Sequence, residues 1–178
     1  MRVLITGIAG FCGLHLTEYL LSKVKDDKEI DLYGIDIQEN VNREGHSLLE
    51  NLKFFTCDIL DDEKLRKTIR QIEPDRIFHL AGLTSDFNSS ASVKKFYATN
   101  VFGTINLLEA AGELKNGPLV HVACSSAEYG LITESENPIT EDNRFHPISP
   151  YAISKLAQDM VGYQYYKNYG LRIIRTRA

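Results

Sequence analysis

Tyr151 and Lys155 stand one helical turn apart in the run "SPYAISKLAQDM", which has the character of a helix. Spacing i and i+4 stacks a phenol and an ammonium on one helix face. A tyrosine hydroxyl titrates at about 10 and is a reluctant proton carrier, but a cation held beside it favours the phenolate and makes proton exchange feasible at neutral pH. The pair is therefore a candidate acid–base couple, against the alternative of a half-buried aromatic and a solvated lysine. Ser125, at the end of "LVHVACSS", is a candidate hydrogen-bond partner for a reacting oxygen. Ser126 is its rival, and a serine pair at a strand end can equally serve as a cap or turn.

A second constellation lies at the N-terminus. In "GIAGFCG", Gly7, Gly10 and Gly13 follow an apolar run directly and open a helix that carries Phe11 and Cys12 in its first turn. Glycines at this spacing permit a tight turn, close approach of backbone N–H groups to a pyrophosphate, and close packing of helix on strand, while the helix N-terminus favours an anion. Asp36 follows about 20 residues on, at the tip of the next strand, where a carboxylate can accept hydrogen bonds from both hydroxyls of an adenine ribose. A dinucleotide cofactor is expected. Asp36 would repel a 2'-phosphate, so NAD is favoured over NADP, with Arg43 in the following loop able to compensate.

These groups must be held by a scaffold, and the chain supplies one. Apolar runs "RVLIT", "DLYGIDI", "LKFFTCDI", "DRIFHLAG", "LVHVACSS" and "LRIIRT" alternate with helix-period segments over 11–24, 61–73, 91–115 and 149–169. The alternation predicts βαβ units. Strands apolar on both faces fit a parallel sheet covered by helices on both sides, so the fold class is α/β, doubly wound and Rossmann-type. Pro74 with Asp75, Gly117 with Pro118, and Gly170 punctuate the helix ends. Residues 39–51 read as a polar loop, and a longer loop runs from Tyr129 to Ile148.

Length and composition bound the rest. The 178 residues are 43% hydrophobic and 25% charged, enough for one core, and one domain over 1–178 is expected. A net charge of -4 and a pI near 5.7, with basic residues scattered among acids, give no stripe to neutralise a phosphate backbone, so nucleic acid is not an expected partner. No apolar run approaches a membrane span and the N-terminus lacks a signal-peptide pattern; a soluble, cytoplasmic protein is expected. Cys12, Cys57 and Cys124 lie in apolar segments without disulfide or metal spacing and are expected to be buried, reduced thiols.

The ordered motifs resemble those of the extended short-chain dehydrogenase/reductases that act on nucleotide sugars: the glycine loop at 7–13, "CDI" at 57–59, "HLAG" at 79–82, "TNVFGT" at 99–104, "CSSAEYG" at 124–130 and "SPYAISK" at 149–155. The resemblance implies that Asp58 and Ile59 contact the adenine and that Phe11, Cys12, Leu80, Ala81 and Gly82 line the cofactor. It implies that Asn100 holds the geometry of the active-site helix, and that Ser125, Tyr151 and Lys155 form the catalytic group. Lys155 would also bind the nicotinamide ribose, while Thr84, Ser85, Ser125, Ser126 and Glu128 would face the substrate. Dehydratases of this family place an Asp-Glu pair directly after the catalytic Ser or Thr; here those positions read Ser126 and Ala127, which weighs against loss of water. The stretch is most similar to GDP-4-keto-6-deoxy-D-mannose reductases, with a nucleotide-sugar 4-epimerase as the next reading. The resemblance also implies a nucleotide-sugar lobe beyond Ala178, so a cofactor-binding module without turnover stays open. A homodimer is expected through the helices around 91–115 and 149–169, with Phe96, Val101, Ile105, Leu156, Met160 and Tyr163 as the apolar residues of its contact; core packing explains these residues as well.

Overall fold

The computed structural model describes residues 1–23, 30–38, 52–84 and 93–178; Arg43, Ser85 and the predicted polar loop at 39–51 lie outside the described residues. The chain runs β1 (Arg2–Thr6), α1 (Phe11–Lys23), β2 (Asp31–Asp36), β3 (Lys53–Thr56), α2 (Asp62–Ile72), β4 (Arg76–His79), α3 (Val93–Phe96), α4 (Gly103–Gly112), β5 (Leu119–Ala123), α5 (Pro150–Tyr169) and β6 (Arg172–Thr176). The strands pair in the order β3-β2-β1-β4-β5-β6, and every pairing is parallel. The doubly wound expectation holds, and the order reverses between β1 and β4, where sheets of this kind open a crevice at the carboxyl ends of their strands.

Side-chain alternation along β1 builds the two layers. Leu4 points into a core with Leu65, Ile69 and Ile72 of α2 and Leu107 and Leu108 of α4. Its neighbours Val3 and Ile5 point to the other face, against Leu14 and the partly buried Leu16 and Leu20 of α1. Each of these fully buried aliphatic side chains contributes about 1.5–3 kcal/mol, so the central strand is pinned from both sides. Helix ends follow local chemistry. Asp61 caps α2 through the Lys64 N–H, and Ser149 caps α5 through the Ala152 N–H with Pro150 in the first turn. Gly170, at φ 69°, closes α5 in the left-handed conformation.

The predicted helix over 91–115 is described from Val93 on and is not uniform. Residues Tyr97–Phe102 form a π-helical segment between α3 and α4. The wider turn rotates Thr99 and Asn100 toward the β1–β4 crevice, a placement that a regular 3.6-residue pattern does not reveal. Helix α5 is the other surprise in burial. It carries no clean apolar stripe: Ser154, Lys155, Gln158 and Asp159 are all buried, while Tyr163 and Tyr166 are exposed. Among the described residues no helix is long and apolar enough to cross a membrane.

Candidate active site

A cleft of about 280 Å³ opens over the carboxyl ends of β1, β2 and β4, lined by Gly7, Gly10, Asp36, Asp58, Ile59, Leu80, Ala81, Gly82 and Thr99 among others. Its floor depends on two glycines for different reasons. Gly7 takes φ 70°, and a Cβ there would lie 2.6 Å from the Ala81 nitrogen; at Gly13 a Cβ would lie 2.4 Å from the Gly7 carbonyl oxygen and 2.6 Å from Ile8 Cα. Both neighbours are backbone, so the turn exists only without side chains at these positions. The resulting cradle brings the start of α1 against the cleft, with exposed Phe11 and Cys12 in its first turn. Exposure of Cys12 corrects the expectation of three buried thiols: Cys57 and Cys124 are buried, whereas Cys12 faces outward at the helix start.

Asp36 sits at the tip of β2 as expected, and its carboxylate is already partly engaged: Oδ2 accepts from Ala9 N–H at 2.9 Å and Oδ1 from Gln38 N–H at 3.1 Å. Each oxygen keeps further acceptor capacity, and Asp36 lines the cleft. Asp58 is exposed and folds its own turn by accepting from Leu60 N–H at 2.9 Å. Ile59 is only 4% exposed and packs against Gly103, where a Cβ would meet its Cδ1 at 2.4 Å; its side chain serves the core while the residue edges the cleft. Thr84 is exposed in the loop that follows β4.

Asn100, fully buried on the π-helical segment, clamps that loop. Its Oδ1 accepts from Leu83 N–H at 2.7 Å, and its Nδ2 donates to Leu83 O at 3.1 Å and to Ser154 Oγ at 2.9 Å. The clamp joins the cleft wall to α5. Lys155 is 7% exposed rather than solvated, and burial lowers its pKa from the ordinary lysine value. Nζ donates to Ala123 O and to Gln158 Oε1, each at 2.8 Å, and a Cβ on Gly82 would lie 3.5 Å from it. Tyr151, half-buried in the first turn of α5, meets Phe96 edge-on with ring centroids 6.3 Å apart.

Ser125 ends β5 in extended backbone and caps the short 3₁₀ turn Ser126–Glu128, accepting from Ala127 N–H at 3.2 Å. Cap and candidate catalytic group are thus the same residue, and its hydroxyl still has a proton to donate. Glu128 corrects the expectation of a substrate-facing carboxylate. It is fully buried, Oε1 accepts from Ser125 N–H at 3.0 Å, and Oε2 lies 3.5 Å from Arg177 Nε. Burial, with Asp159 nearby, pushes its carboxyl up to about 7, although the Ser125 hydrogen bond and Arg177 oppose the shift. Glu128 therefore holds Ser125 from behind. Ser126 is exposed and lines a separate opening with Tyr129, Arg175 and Arg177. Asp159 pairs with Arg175 and with Arg177, the latter at 2.6 Å, tying α5 to β6.

Sequence reasoning met His79 only within the "HLAG" motif and did not single out Thr6, Thr104 or Gln158, which the fold joins to it. Thr6 Oγ1 lies 2.8 Å from His79 Nδ1, His79 Nε2 lies 2.9 Å from Thr104 Oγ1, and Gln158 Nε2 donates to Thr104 Oγ1 at 2.9 Å. Burial foremost, and the nearby Lys155 charge, lower the His79 pKa to about 3, so the imidazole is neutral. For Gln158 a signal existed: it lies at i+3 from Lys155, on the same helix face.

A sequence profile of the family described as GDP-mannose 4,6 dehydratase matches residues 4–178. The chain is 36% identical over 186 residues to a dTDP-D-glucose 4,6-dehydratase of Dictyostelium discoideum, covering 99% of this chain and 43% of that protein. It is similar to the structure of a double mutant of a dTDP-glucose 4,6-dehydratase from Streptomyces venezuelae with NAD bound: TM-score 0.86, 34% identity, 99% of this chain and 55% of that one. The structure of a Thermus thermophilus UDP-glucose 4-epimerase in complex with NAD matches with a TM-score of 0.84 and 32% identity, over 99% and 54% of the two chains. The chain spans about half the length of the relatives it matches.

Proposed function

The chain belongs to the GDP-mannose 4,6-dehydratase family, within the NAD-dependent epimerase/dehydratase group, and on that premise we propose that it performs NAD-dependent hydride chemistry at C4 of a nucleotide sugar without loss of water. The specific reading is reduction of the C4 ketone of GDP-4-keto-6-deoxy-D-mannose. One observation sets it apart from dehydration: Ser126 and Ala127 follow Ser125 where the dehydratases of this resemblance have an acid and a base, and the carboxylate that does follow, Glu128, is buried behind Ser125. No exposed carboxyl in that turn can protonate a leaving hydroxyl.

The cleft fits a dinucleotide: its glycine floor would collide with side chains, and Asp36 keeps lone pairs for ribose hydroxyls. When bound, NAD supplies the hydride acceptor or donor. Gly7, Gly10 and Gly13 leave room for the pyrophosphate at the start of α1, and Asp36 selects the ribose without a 2'-phosphate. Ala81 and Gly82 form the wall behind which Lys155 lies, placed to hold the nicotinamide-side ribose. Tyr151 exchanges a proton with the sugar oxygen and Ser125 hydrogen-bonds that oxygen. Thr84, Ser85 and Ser126 are the remaining substrate contacts of this reading. The protein is read as a cytoplasmic homodimer, with half-exposed Met160 and Tyr163 of α5 in the contact.

A second reading, a 4-epimerase that returns its cofactor unchanged, is favoured by the similarity to the Thermus thermophilus UDP-glucose 4-epimerase. The test follows oxidation of NADH and NADPH by the full-length protein with GDP-4-keto-6-deoxymannose, and in parallel the interconversion of UDP-glucose and UDP-galactose. Stoichiometric NADH consumption supports the reductase. Sugar interconversion without net cofactor change replaces it with the epimerase, and neither, with cofactor retained, leaves a binding module. Tyr151→Phe should lower turnover at least roughly 100-fold while leaving NADH binding intact; undiminished turnover removes Tyr151 from its role.

A further inference from the structure

Lysine has three N–H donors and no acceptor. That asymmetry orders every hydrogen bond connected to Lys155. Because Nζ donates to Gln158 at 2.8 Å, the carboxamide must present its oxygen there and its NH₂ to Thr104. Thr104 gives its own proton to Asn100 O at 2.7 Å, so its oxygen accepts from both Gln158 and His79 Nε2–H. His79 Nδ1 is then a bare lone pair that accepts from Thr6, and Thr6 accepts the Ala81 N–H at 3.3 Å. Each bond in this chain thus has a fixed direction, and reversing the order would leave a buried group unpaired.

The chain of bonds spans α5, α4, β4 and β1 and ends at Ala81, on the wall of the cleft. Gln158 is the only member that touches Lys155. It is fully buried, and an ammonium buried beside it would be costly to leave uncompensated. Ala123 O fixes a second Nζ proton, which leaves the third for the side of Gly82 and the cleft. We propose that Gln158 is a positioning residue that, with Thr104 and His79 behind it, aims the third Nζ proton of Lys155 at the nicotinamide-side ribose of the bound dinucleotide. The inference rests on the nicotinamide-side role given to Lys155 above.

The test compares binding of NADH with binding of ADP, which carries the adenine ribose and pyrophosphate recognised by Asp36 and the glycine loop and nothing on the Lys155 side. Gln158→Met should weaken NADH roughly tenfold, the worth of one hydrogen bond to a charged group, and leave ADP unchanged. Gln158→Glu, which keeps an oxygen for Lys155, should restore NADH to within about threefold of the parent protein. Equal losses for NADH and ADP, or a Gln158→Glu loss as large as that of Gln158→Met, would overturn the inference. Lys155→Met separates the two layers. If it lowers the NADH-to-ADP affinity ratio and Gln158→Met does not, the positioning role alone fails; if it leaves the ratio unchanged, the role of Lys155 and the inference fall together.

Discussion

His79 makes acid stability a direct measure of the buried network. In the folded chain its imidazole is held neutral, with its pKa lowered to about 3 from the ordinary 6.5 by burial and by the Lys155 charge. A base whose folded value lies below its unfolded value takes up more protons when the chain unfolds, so its contribution is full at neutral pH and is lost as pH falls through 6.5 toward 3. Between pH 7 and pH 4.5 the two values give a loss of about 2.5 kcal/mol, or roughly 1 M in urea midpoint for a chain of this size. Glu128 runs the other way. Its carboxyl is raised to about 7, so its stabilising share is full below its ordinary value of 4.5 and is lost as pH rises through 7. Native acid denaturation therefore mixes opposing signs, and the informative quantity is a difference. His79→Gln keeps a donor for Thr104 and removes the titration. The parent protein should lose about 2.5 kcal/mol more than the variant between pH 7 and pH 4.5, read as urea midpoints at several pH values. Parallel curves, with a constant offset, would refute a neutral, proton-ordering imidazole.

Two further expectations concern the cofactor cradle. Gly13→Ala places a methyl 2.4 Å from the Gly7 carbonyl oxygen and 2.6 Å from Ile8 Cα, so backbone must move; a loss of about 2 kcal/mol or more in urea unfolding, with ADP affinity falling alongside, is expected, and a neutral substitution would contradict the packing. Asp36→Ala removes the acceptor of the Ala9 and Gln38 N–H groups as well as the ribose contact, so NADH should weaken by tenfold or more and NADPH much less; equal losses for both would count against the ribose assignment.

Much of the scaffold was readable because its rules are local. Glycines at 7, 10 and 13 are imposed by a turn a few residues long, the alternating layers of β1 by the period of a strand, and the α5 start by Ser149 and Pro150. Tyr151 and Lys155 are neighbours on α5 by helical spacing alone. The site was less readable wherever a residue's role is set by a distant partner. Glu128 looks like an available carboxylate in sequence, but the 3₁₀ turn folds it beneath Ser125 and toward Arg177, just after β6. Cys12 has apolar neighbours in sequence, yet the start of α1 turns it outward.

The sequence by itself determined that a parallel α/β sheet would carry a glycine turn for a dinucleotide and a helix bearing a phenol and an ammonium one turn apart, because each depends on backbone conformation and short-range periodicity. Only the tertiary structure decided that the ammonium is buried and which oxygens it is given. Gln158 meets Thr104 across 54 positions of chain, Thr104 meets His79 across 25, and His79 meets Thr6 across 73. No local pattern encodes such contacts; they follow from the strand order that sets β1 beside β4 and from the packing of α4 and α5 on the same face of the sheet. Buried polar groups must then find partners among whatever side chains that topology delivers.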